Sequence, residues 1–416
     1  MRILHVNKFL YRRGGAEGYL LDLAALQRDA GHAVEFFGMD HPENLPMRYS
    51  RHFPAHVEYE PTPAAVSARL ALAGRMLWCR SAQRGMAAVV DDFAPDVIHF
   101  HNIYHHLSPS VIRAATASGA TLVMTLHDYK LVCPTYRFLD QGAICTACVH
   151  GGLRQAPLRR CKDGSLAASA LAAFEVGAHR LAGAYASLDA LVCPSRFLHG
   201  QLTAAGIHRD RLVHVDNFTS VDVPQRAGAG EGIVYAGRLS PEKGIDVLIR
   251  ALARLPDARL DIAGDGSSRA ALVDLADAAA PGRIRFHGRL DTDRLRLLLA
   301  GARVSVLPAR WLENQPLAVL ESFAAGVPVV ASALGGIPEL IEPGPCGALV
   351  PPQDPAALAA ALGDYLADPD RARVHGHAAR ARVLAQHAPA AHLRAITALY
   401  GDIRATRSPA AVETPA

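Results

Sequence analysis

The chain has 416 residues, half of them hydrophobic and a fifth charged, and its formal net charge is +4 at pH 7. This composition is typical of a soluble globular enzyme and excludes a disordered chain. The length predicts two domains, because one hydrophobic core rarely serves so long a chain. The small net charge and the scattered arginines argue against nucleic acid as a partner, since that function needs a concentrated basic face.

The amino terminus and the cysteines indicate the cellular compartment. The opening apolar stretch, residues 3–6, has only the length of a strand and charge follows it, so we expect no signal peptide. No apolar run reaches the ~18 residues that a membrane-spanning helix needs. Seven cysteines in a chain without an export signal favour free thiols over a disulfide framework. We therefore expect a cytoplasmic protein.

Residues 64–90 combine apolar positions with Arg69, Arg75, Arg80 and Arg84. This pattern fits an amphipathic helix lying on the inner face of a membrane. It fits equally a helix that packs its apolar side on a core, and we favour that interpretation because most amphipathic helices do so. Peripheral membrane contact is therefore a secondary expectation.

Short apolar runs alternate with helical patterns in the first half of the chain. A helix is predicted for residues 17–30, ending at Gly31. The predicted strands are residues 3–6, 34–38, 96–100, 121–126 and 190–193. Continuous apolar strands separated by helices predict a parallel sheet that is covered on both faces.

The same alternation restarts in the second half, after a segment rich in Gly, Pro and Ala at residues 221–232. The predicted strands there are residues 232–236, 258–263, 283–287, 303–307 and 328–331. We predict an α/β fold with two Rossmann-like doubly wound domains that face each other across a cleft, where such folds bind ligands. The predicted units are a first domain (1–220), a linker (221–232), a second domain (233–385), a helix packing back on the first domain (386–404) and a disordered tail (405–416).

The most informative segment is residues 306–339, VLPARWLENQPLAVLESFAAGVPVVASALGGIPE. Glu313 lies in a loop after an apolar run, and Glu321, separated from it by seven residues, lies inside a predicted short helix. Carboxylates accept hydrogen bonds from sugar hydroxyls, and backbone N–H groups at helix starts hold phosphate. This segment therefore suits a hydroxyl-rich ligand that carries phosphate.

With Pro308, ENQP, AAGVPVV and GGIPEL in sequence, the segment resembles the retaining glycosyltransferases of family 4. The resemblance runs from residue 1 to about residue 361 and implies the two-domain GT-B fold. It implies that Glu313 lies beside the donor sugar and that Glu321 binds the ribose of the nucleotide. Backbone N–H groups of Asn314, Gln315 and Leu317 would contact the donor. The chain departs from the family at Asn-Gln, where Gly-Phe or Gly-Leu is more frequent.

A second element, YAGRLSPEKGIDVLI, places Arg238 and Lys243 on a loop after a predicted strand. Arginine binds phosphate oxygens in a fork and lysine acts as a point charge, so the two suit a diphosphate. The resemblance implies that they stabilise the departing nucleoside diphosphate, so that catalysis requires no metal cofactor. The alternative is a surface pair with Glu242.

A third loop, AGDGSSR, contains Asp265 and Gly266. It resembles the turn that lies near the nucleotide base in the family. A plain Asp-Gly turn explains the same residues, and the sequence does not separate these two interpretations.

The first domain supplies the other wall of the cleft. Gly14 and Gly15 separate a strand from a helix, where a bare backbone approaches a ligand closely and the helix start favours anions. The alternative is that they serve only a tight turn. In the family this loop faces the donor phosphates and the acceptor.

His127 ends a predicted strand, and the resemblance places it on the donor sugar. We assign His101 or Asn102 to the acceptor side. His99 and His101 share one face of a strand, but no carboxylate or cysteine accompanies them, so a metal role is not favoured.

Cys133, Cys145, Cys148 and Cys161 fall in a loop-rich insert, residues 133–161, with the spacing Cys-x11-Cys-x2-Cys-x12-Cys. Four thiolates around a close pair have the composition of a structural zinc site, and a metal would help so small a segment to fold. A subset of the family has such a cluster. Four free thiols are the main alternative. A redox pair is less favoured, because no helix evidently begins at the close pair.

These features predict a glycosyltransferase that moves a hexosyl unit from a nucleotide-diphosphate sugar to a glycan or lipid-linked acceptor, in polysaccharide or glycolipid biosynthesis. One alternative is a nucleotide-sugar epimerase on the same fold, which would turn over without an acceptor. Another is a non-enzymatic module that uses the cysteine cluster to bind a partner. A cysteine variant that folds normally but no longer binds that partner would indicate this second alternative.

Overall fold

The computed structural model describes residues 1–58, 65–226, 228–341 and 345–407. Across these ranges the chain folds around two six-stranded parallel sheets with helices on their faces. Their strand orders are β2-β1-β3-β4-β7-β8 and β11-β10-β9-β12-β13-β14, so each sheet is doubly wound. The predicted fold class, two Rossmann-like α/β domains, is confirmed.

The first sheet and its helices occupy residues 2–214. The strands are β1 Arg2–Val6, β2 Ala33–Phe37, β3 Val97–Phe100, β4 Thr121–Thr125, β5 Leu139–Asp140, β6 Ala143–Ile144, β7 Ala190–Cys193 and β8 Leu212–His214, of which β5 and β6 form a separate antiparallel hairpin. The helices are α1 Gly15–Asp29, α2 Val66–Leu77, α3 Arg80–Phe93, α4 Ser110–Ala115, α5 Ala147–Gly151, α6 Gln155–Arg159, α7 Leu166–Leu181 and α8 Arg196–Ala204.

The second sheet occupies residues 231–350. Its strands are β9 Glu231–Ala236, β10 Leu260–Ala263, β11 Ile284–Gly288, β12 Ala302–Leu307, β13 Val329–Ser332 and β14 Gly347–Val350. The helices of this half are α9 Ile245–Leu252, α10 Arg269–Ala279, α11 Thr292–Gly301, α12 Leu317–Ala324, α13 Ile337–Ile341, α14 Pro355–Ala367, α15 Pro369–Gln386 and α16 Pro389–Arg407.

The predicted strands are present, with ends that differ by one or two residues. Strands β8 and β14 have no counterpart in the sequence expectation. Each forms one edge of its sheet, and most of its residues are only half-buried, so neither shows the continuous apolar run of a central strand. Strand β9 begins at Glu231, so the last two residues of the predicted linker belong to the second sheet.

Helix α16 lies against the first sheet. Ile396 and Tyr400 are fully buried in a cluster with residues of β1 and α1. Arg404 and Arg407 pair with Asp96 and Asp189, at 3.0 and 2.8 Å. The helix continues to Arg407, so residues 405–407 are helical rather than part of a tail. The rest of the predicted tail, 408–416, lies outside the described residues.

Helix α3 buries an apolar face that includes Met86, Val89 and Phe93, which fits the core-packed interpretation of this region. Within the ranges that the structure describes, no helix combines the length and the apolar character needed to cross a membrane.

Candidate active site

The carboxyl ends of the two sheets meet at a short loop that follows β12. The Asn314 side chain crosses to the first domain, where its amide donates to the carbonyl of Leu126 at 2.9 Å. Its Oδ1 accepts from the hydroxyl of Ser195 at 2.6 Å. The predicted role of Asn314 concerned its backbone N–H; its side chain instead holds the two domains together.

Gln315 makes a second connection. Its Nε2 donates to Oδ1 of Asp216 at 2.6 Å, and its Oε1 accepts from the backbone N–H of Asn217. Nδ2 of Asn217 donates to the carbonyl of Gln315 at 3.1 Å, so both residues use backbone and side chain. The Asn-Gln pair, where the sequence departs from the commoner family pattern, forms what we call the interdomain clasp.

Glu339 adds a contact from the second domain. Its carboxylate accepts from the backbone N–H groups of Arg196 and Phe197, at 2.8 and 2.6 Å. These are the first residues of α8, whose unpaired N–H groups and dipole favour a negative charge. Glu339 therefore caps a helix of the other domain.

Lys243 and Glu313 form an ion pair at 2.6 Å, and both side chains are largely buried. Lys243 also lies 5.0 Å from the centre of the Trp311 ring. The backbone of Glu313 is held by Gly336, whose N–H donates to the Glu313 carbonyl at 2.8 Å. A Cβ on Gly336 would stand 1.8 Å from the carbonyl oxygen of Asn314, so this approach requires glycine. Two predicted catalytic residues thus lie in direct contact.

Arg238 follows β9 and pairs with Glu242 at 2.8 Å, while 62% of its side chain stays exposed. Glu242 also accepts from the hydroxyl of Ser240 at 2.8 Å. Burial raises the pKa of Glu242, but its hydrogen bonds and Arg238 outweigh this, and the net shift lowers the pKa. The surface pair considered for Arg238 is therefore present, and it leaves the guanidinium open to solvent.

The loop containing Asp265 and Gly266 is bound to the Arg238 loop. Backbone hydrogen bonds join Leu239 to Asp265 and Ser268 to Leu239, each at 3.0 Å. Gly264 has φ +141, and a Cβ there would stand 1.8 Å from the Gly237 carbonyl oxygen. Oδ1 of Asp265 accepts from the N–H of Gly266 at 2.8 Å, which is local turn geometry. The loop therefore lies beside the two cations, and its predicted contact with the base stays a prediction.

Glu321 lies on α12, as predicted, and its side chain is partly buried. Burial raises the pKa of its carboxyl group, and the negative charge of Asp22 raises it further. Arg296 and Arg12 oppose this but do not cancel it. The carboxylate is therefore under-stabilised by its protein surroundings, which suits a group that accepts hydrogen bonds from a ligand.

The loop before α1 faces the second domain. Gly15 begins the helix, and a Cβ placed on it would lie 3.5 Å from the Leu317 side chain. Gly14 has φ −162, an extended conformation open to any residue, so a tight turn does not explain it. Gly14, Gly15 and Leu317 are thus brought together across the cleft.

His127 lies at the carboxyl end of β4, next to the Leu126 carbonyl that the clasp uses. Its Nε2 is 3.1 Å from Nδ1 of His101. Burial lowers the pKa of His127 to about 3, so the ring is neutral near pH 7. His101 is fully buried, with both ring nitrogens hydrogen-bonded to other histidines. Its place on the acceptor side stays a prediction. Asn102 is half-buried at the end of β3, and its Oδ1 has no partner among the described residues.

The four cysteines of the insert lie near one another. Burial raises the pKa of Cys148 to about 12, and the charges of Cys133, Cys161 and Cys145 add to the shift. Helix α5 begins between Cys145 and Cys148, contrary to the sequence expectation. The raised pKa nevertheless disfavours a redox pair, which needs the thiolate.

The described residues contain one group of three potential ligand atoms within 4.8 Å of one another, and it is His5, His99 and His101 rather than the cysteines. Zinc binding by Cys133, Cys145, Cys148 and Cys161 therefore stays a prediction. The insert also borders a cavity of about 460 Å³ whose other wall includes Pro241, Glu242 and Arg310 of the second domain.

Sequence reasoning missed Gln27, His5, Trp311 and Glu339. Glu339 carries a usable signal, because it follows Gly335 and Gly336 in GGIPE, next to a loop already assigned to the cleft. Trp311 stands two residues before Glu313. Gln27 and His5 have no such signal, since their partners are remote in sequence.

The sequence model described as Glycosyltransferase Family 4 matches residues 13–223, and the one described as Glycosyl transferases group 1 matches residues 222–382. The chain is 41% identical over 163 residues to a glycogen synthase of Mycobacterium tuberculosis, a match covering 38% of this chain and 39% of the relative. It is 33% identical over 195 residues to a D-inositol 3-phosphate glycosyltransferase of Streptomyces scabiei, covering 41% and 42%. The chain thus spans about two fifths of the length of these relatives.

Two solved structures match nearly the whole chain. Sucrose-phosphate synthase of Thermosynechococcus elongatus has a TM-score of 0.72 at 22% identity, covering 98% of this chain and 100% of the other. Anabaena HepE in complex with UDP and glucose has a TM-score of 0.66 at 19% identity, covering 96% and 99%. These similarities show the GT-B fold. The family match over about half of the residues shows more: the chain belongs to glycosyltransferase family 4.

Proposed function

We propose that the protein is a retaining hexosyltransferase. It would move a hexosyl unit from a nucleotide-diphosphate sugar to a hydroxyl of a glycan or lipid-linked acceptor, in polysaccharide or glycolipid biosynthesis. The observation that supports this most directly is the Lys243–Glu313 pair at the convergence of the two sheets, with Arg238 on the adjoining loop. A similar fold in Anabaena HepE, described in complex with UDP and glucose, supports a donor of this class.

Both cations in this site have a carboxylate partner when no ligand is present. A diphosphate carries more negative charge than one carboxylate, so it competes for Lys243 and Arg238. When Lys243 turns to the diphosphate, Glu313 is released to accept hydrogen bonds from hydroxyls of the donor sugar. The Lys243–Glu313 ion pair thus supplies two groups that can contact the donor.

The proposed chemistry is departure of the nucleoside diphosphate, followed by attack of the acceptor hydroxyl on the same face, with the hydroxyl proton passing to the leaving phosphate. Charge grows on the leaving phosphate as the glycosidic bond breaks, and fixed cations stabilise that charge. Arg238 and Lys243 supply these cations, so transfer needs no metal cofactor. His127 and Glu313 place the sugar, and Glu321 binds the ribose.

Arg238→Ala and Lys243→Ala should each reduce turnover by roughly 10²- to 10³-fold, because each removes a cation that stabilises the leaving group. The measurement is release of nucleoside diphosphate from a panel of nucleotide sugars, which needs no acceptor and also identifies the donor. Lys243→Ala leaves the Glu313 carboxylate unpaired, which lowers stability. Thermal unfolding is therefore measured first, and turnover is assayed at a temperature at which every variant is folded.

Arg294→Ala is the matched control. Arg294 forms a similar exposed pair with Asp291 at 3.4 Å in the same domain, but on α11. Its loss should leave turnover unchanged. Near-normal turnover in both site variants would overturn the leaving-group assignment. Conversion of the donor sugar to an epimer without acceptor would indicate the alternative enzyme class.

Glu321→Gln should stabilise the unliganded protein and weaken nucleotide binding. The folded pKa of Glu321 lies above its unfolded value, so the folded state favours the protonated form and ionisation at neutral pH reduces stability. We expect the melting temperature to rise by about 2 °C at pH 7 and not at about pH 3, which lies below both pKa values, so that the group is protonated in both states.

The same variant separates a binding role from a structural one. The affinity for UDP should fall about tenfold, the effect of one hydrogen bond to a charged group. Asp293→Asn, an exposed carboxylate on α11, is the control for loss of charge alone. Unchanged UDP affinity in Glu321→Gln would contradict the ribose assignment.

We also propose that the cysteine insert binds a structural zinc ion. The support is that the four thiols lie near one another, since the charges of Cys133, Cys161 and Cys145 add to the effect of burial in raising the pKa of Cys148. A divalent cation removes the mutual repulsion of four thiolates. About one zinc ion per chain should be found in protein purified with reductant and without chelator.

Cys148→Ser should lower the zinc content and the melting temperature, because metal binding contributes to folding. Cys346→Ser, a buried cysteine of the second domain, is the control that should keep the zinc. Protein free of zinc under these conditions would contradict the site. A folded Cys148→Ser variant with normal turnover would show that the insert is not catalytic.

Peripheral membrane contact is a further proposal, supported by one face of α7. Leu171, Phe174 and Leu181 are 37, 60 and 93% exposed and recur at helical spacing. Phe174→Ser with Leu181→Ser should reduce sedimentation with anionic phospholipid vesicles several-fold. Leu297→Ser, at a residue 61% exposed on α11, is the matched control. Equal sedimentation of all three proteins would exclude this face.

A further inference from the structure

A line of buried side chains leads from the core of the first domain to His127. Nε2 of His127 is 3.1 Å from Nδ1 of His101, and Nε2 of His101 is 3.1 Å from Nδ1 of His5. Nε2 of His5 is 2.7 Å from Oε1 of Gln27, on α1. Gln27, His5 and His101 are fully buried. We call these four residues the histidine relay.

A second line starts from the other end of the same amide. Nε2 of Gln27 donates to the Tyr400 hydroxyl at 3.5 Å. That hydroxyl is 2.6 Å from Nδ1 of His99, and Nε2 of His99 is 2.8 Å from the hydroxyl of Thr125. The line ends at Thr125, the last residue of β4.

The orientation of the Gln27 amide sets the direction of the relay. An amide nitrogen can only donate and an amide oxygen can only accept. Nε2 of Gln27 donates to the Tyr400 hydroxyl, which leaves the proton of Tyr400 for Nδ1 of His99. Nε2 of His99 then donates to the Thr125 hydroxyl.

The amide oxygen of Gln27 faces His5. Burial lowers the pKa of His5 to about 4, so its ring is neutral and carries one proton. The amide oxygen accepts from Nε2 of His5. Nδ1 of His5 therefore accepts from Nε2 of His101. Nδ1 of His101 in turn accepts from Nε2 of His127.

We propose that Gln27 is a positioning residue that holds His127 in its Nε2-protonated tautomer, so that Nδ1 of His127 meets the ligand as a hydrogen-bond acceptor. Among the described residues, the recorded hydrogen bond of the His127 ring is the one to His101, which leaves Nδ1 for the cleft. The clasp contact at Leu126 brings Asn314, which follows Glu313, to the residue that precedes His127.

A metal ion is the competing explanation for three close histidines. His5, His99 and His101 have ligand atoms within 4.8 Å of one another. All six of their ring nitrogens, however, already have hydrogen-bond partners at 2.6 to 3.1 Å. A metal would have to break these bonds in a site that holds no negative charge, so the hydrogen-bonded relay accounts for the cluster better.

The tautomer of His127 determines which chemical group a ligand must present to this ring. An unprotonated Nδ1 accepts from a hydroxyl or an amide N–H and repels a group that can only accept. In terms of the proposed function, on which this step rests, the relay selects a donor sugar that presents a hydroxyl at His127. It also keeps the ring from acting as a proton donor at that position.

The test measures the tautomer directly, without ligand or turnover. Long-range nitrogen–proton NMR correlation spectra of the full chain, labelled in its histidine rings, report which nitrogen carries the proton, and His127→Gln assigns the signal. Wild-type His127 should be protonated at Nε2 alone. In Gln27→Leu the amide that orients His5 is lost, so His127 should become a mixture of the two tautomers.

Tyr400→Phe, which removes one hydroxyl, is the second variant and tests the proposal if Gln27→Leu does not fold. It removes the acceptor of the Gln27 amide nitrogen, so Gln27 is free to turn over and the same mixture is expected. Gln83→Leu is the matched control, because this glutamine accepts from the Trp78 ring nitrogen at 2.9 Å, far from the relay in sequence. It should leave the His127 signal unchanged.

Protonation of wild-type His127 at Nδ1, or an unchanged tautomer in both relay variants, would overturn the proposal. Once a donor is identified, Gln27→Leu should lose about tenfold in kcat/KM and Gln83→Leu should lose nothing. Because the spectra need no substrate, absence of transferase activity would overturn the proposed function and leave the tautomer assignment standing.

Discussion

The hydrogen bonds that Asn314 and Gln315 make to the first domain set the geometry on which the site depends. They bring the carboxyl ends of the two sheets together within one loop, where Glu313 precedes them. Each such bond contributes about 1 kcal/mol, so the clasp as a whole is worth a few kcal/mol. The clasp is therefore a modest contribution to the free energy that holds the two domains in this arrangement.

The charges of the site are balanced within the protein. Lys243 is neutralised by Glu313, and Arg238 by Glu242. A largely buried cation without a partner would cost several kcal/mol, so this pairing lets the site remain ordered without ligand. The charge of Glu321 is not balanced in this way, because burial destabilises its carboxylate more than the protein stabilises it. Under the proposed function, an incoming nucleotide would meet cations that exchange partners and a carboxylate that gains one.

The sequence predicts those parts of the protein that are local. Central strands could be predicted because they are continuous apolar runs. Glu313, Lys243 and Gly14 could be predicted because they stand in short motifs. Edge strands β8 and β14 are half-exposed and carry no such run. The histidine relay was missed because Gln27, His101 and Tyr400 are distant in sequence and meet only when α16 packs on the first sheet. The partners of His101 were missed for the same reason, because its place in the strand indicates a direction but not which side chains it meets.

Helix α16 connects the clasp with the relay. Oδ1 of Asp216 accepts from Gln315 of the clasp, and the carbonyl of Asp216 accepts from His392 on α16. The same helix carries Tyr400, whose hydroxyl accepts from the Gln27 amide of the relay. Buried polar networks stabilise a fold only when each group is satisfied. The packing of α16 on the first sheet therefore satisfies polar groups at both the clasp and the relay.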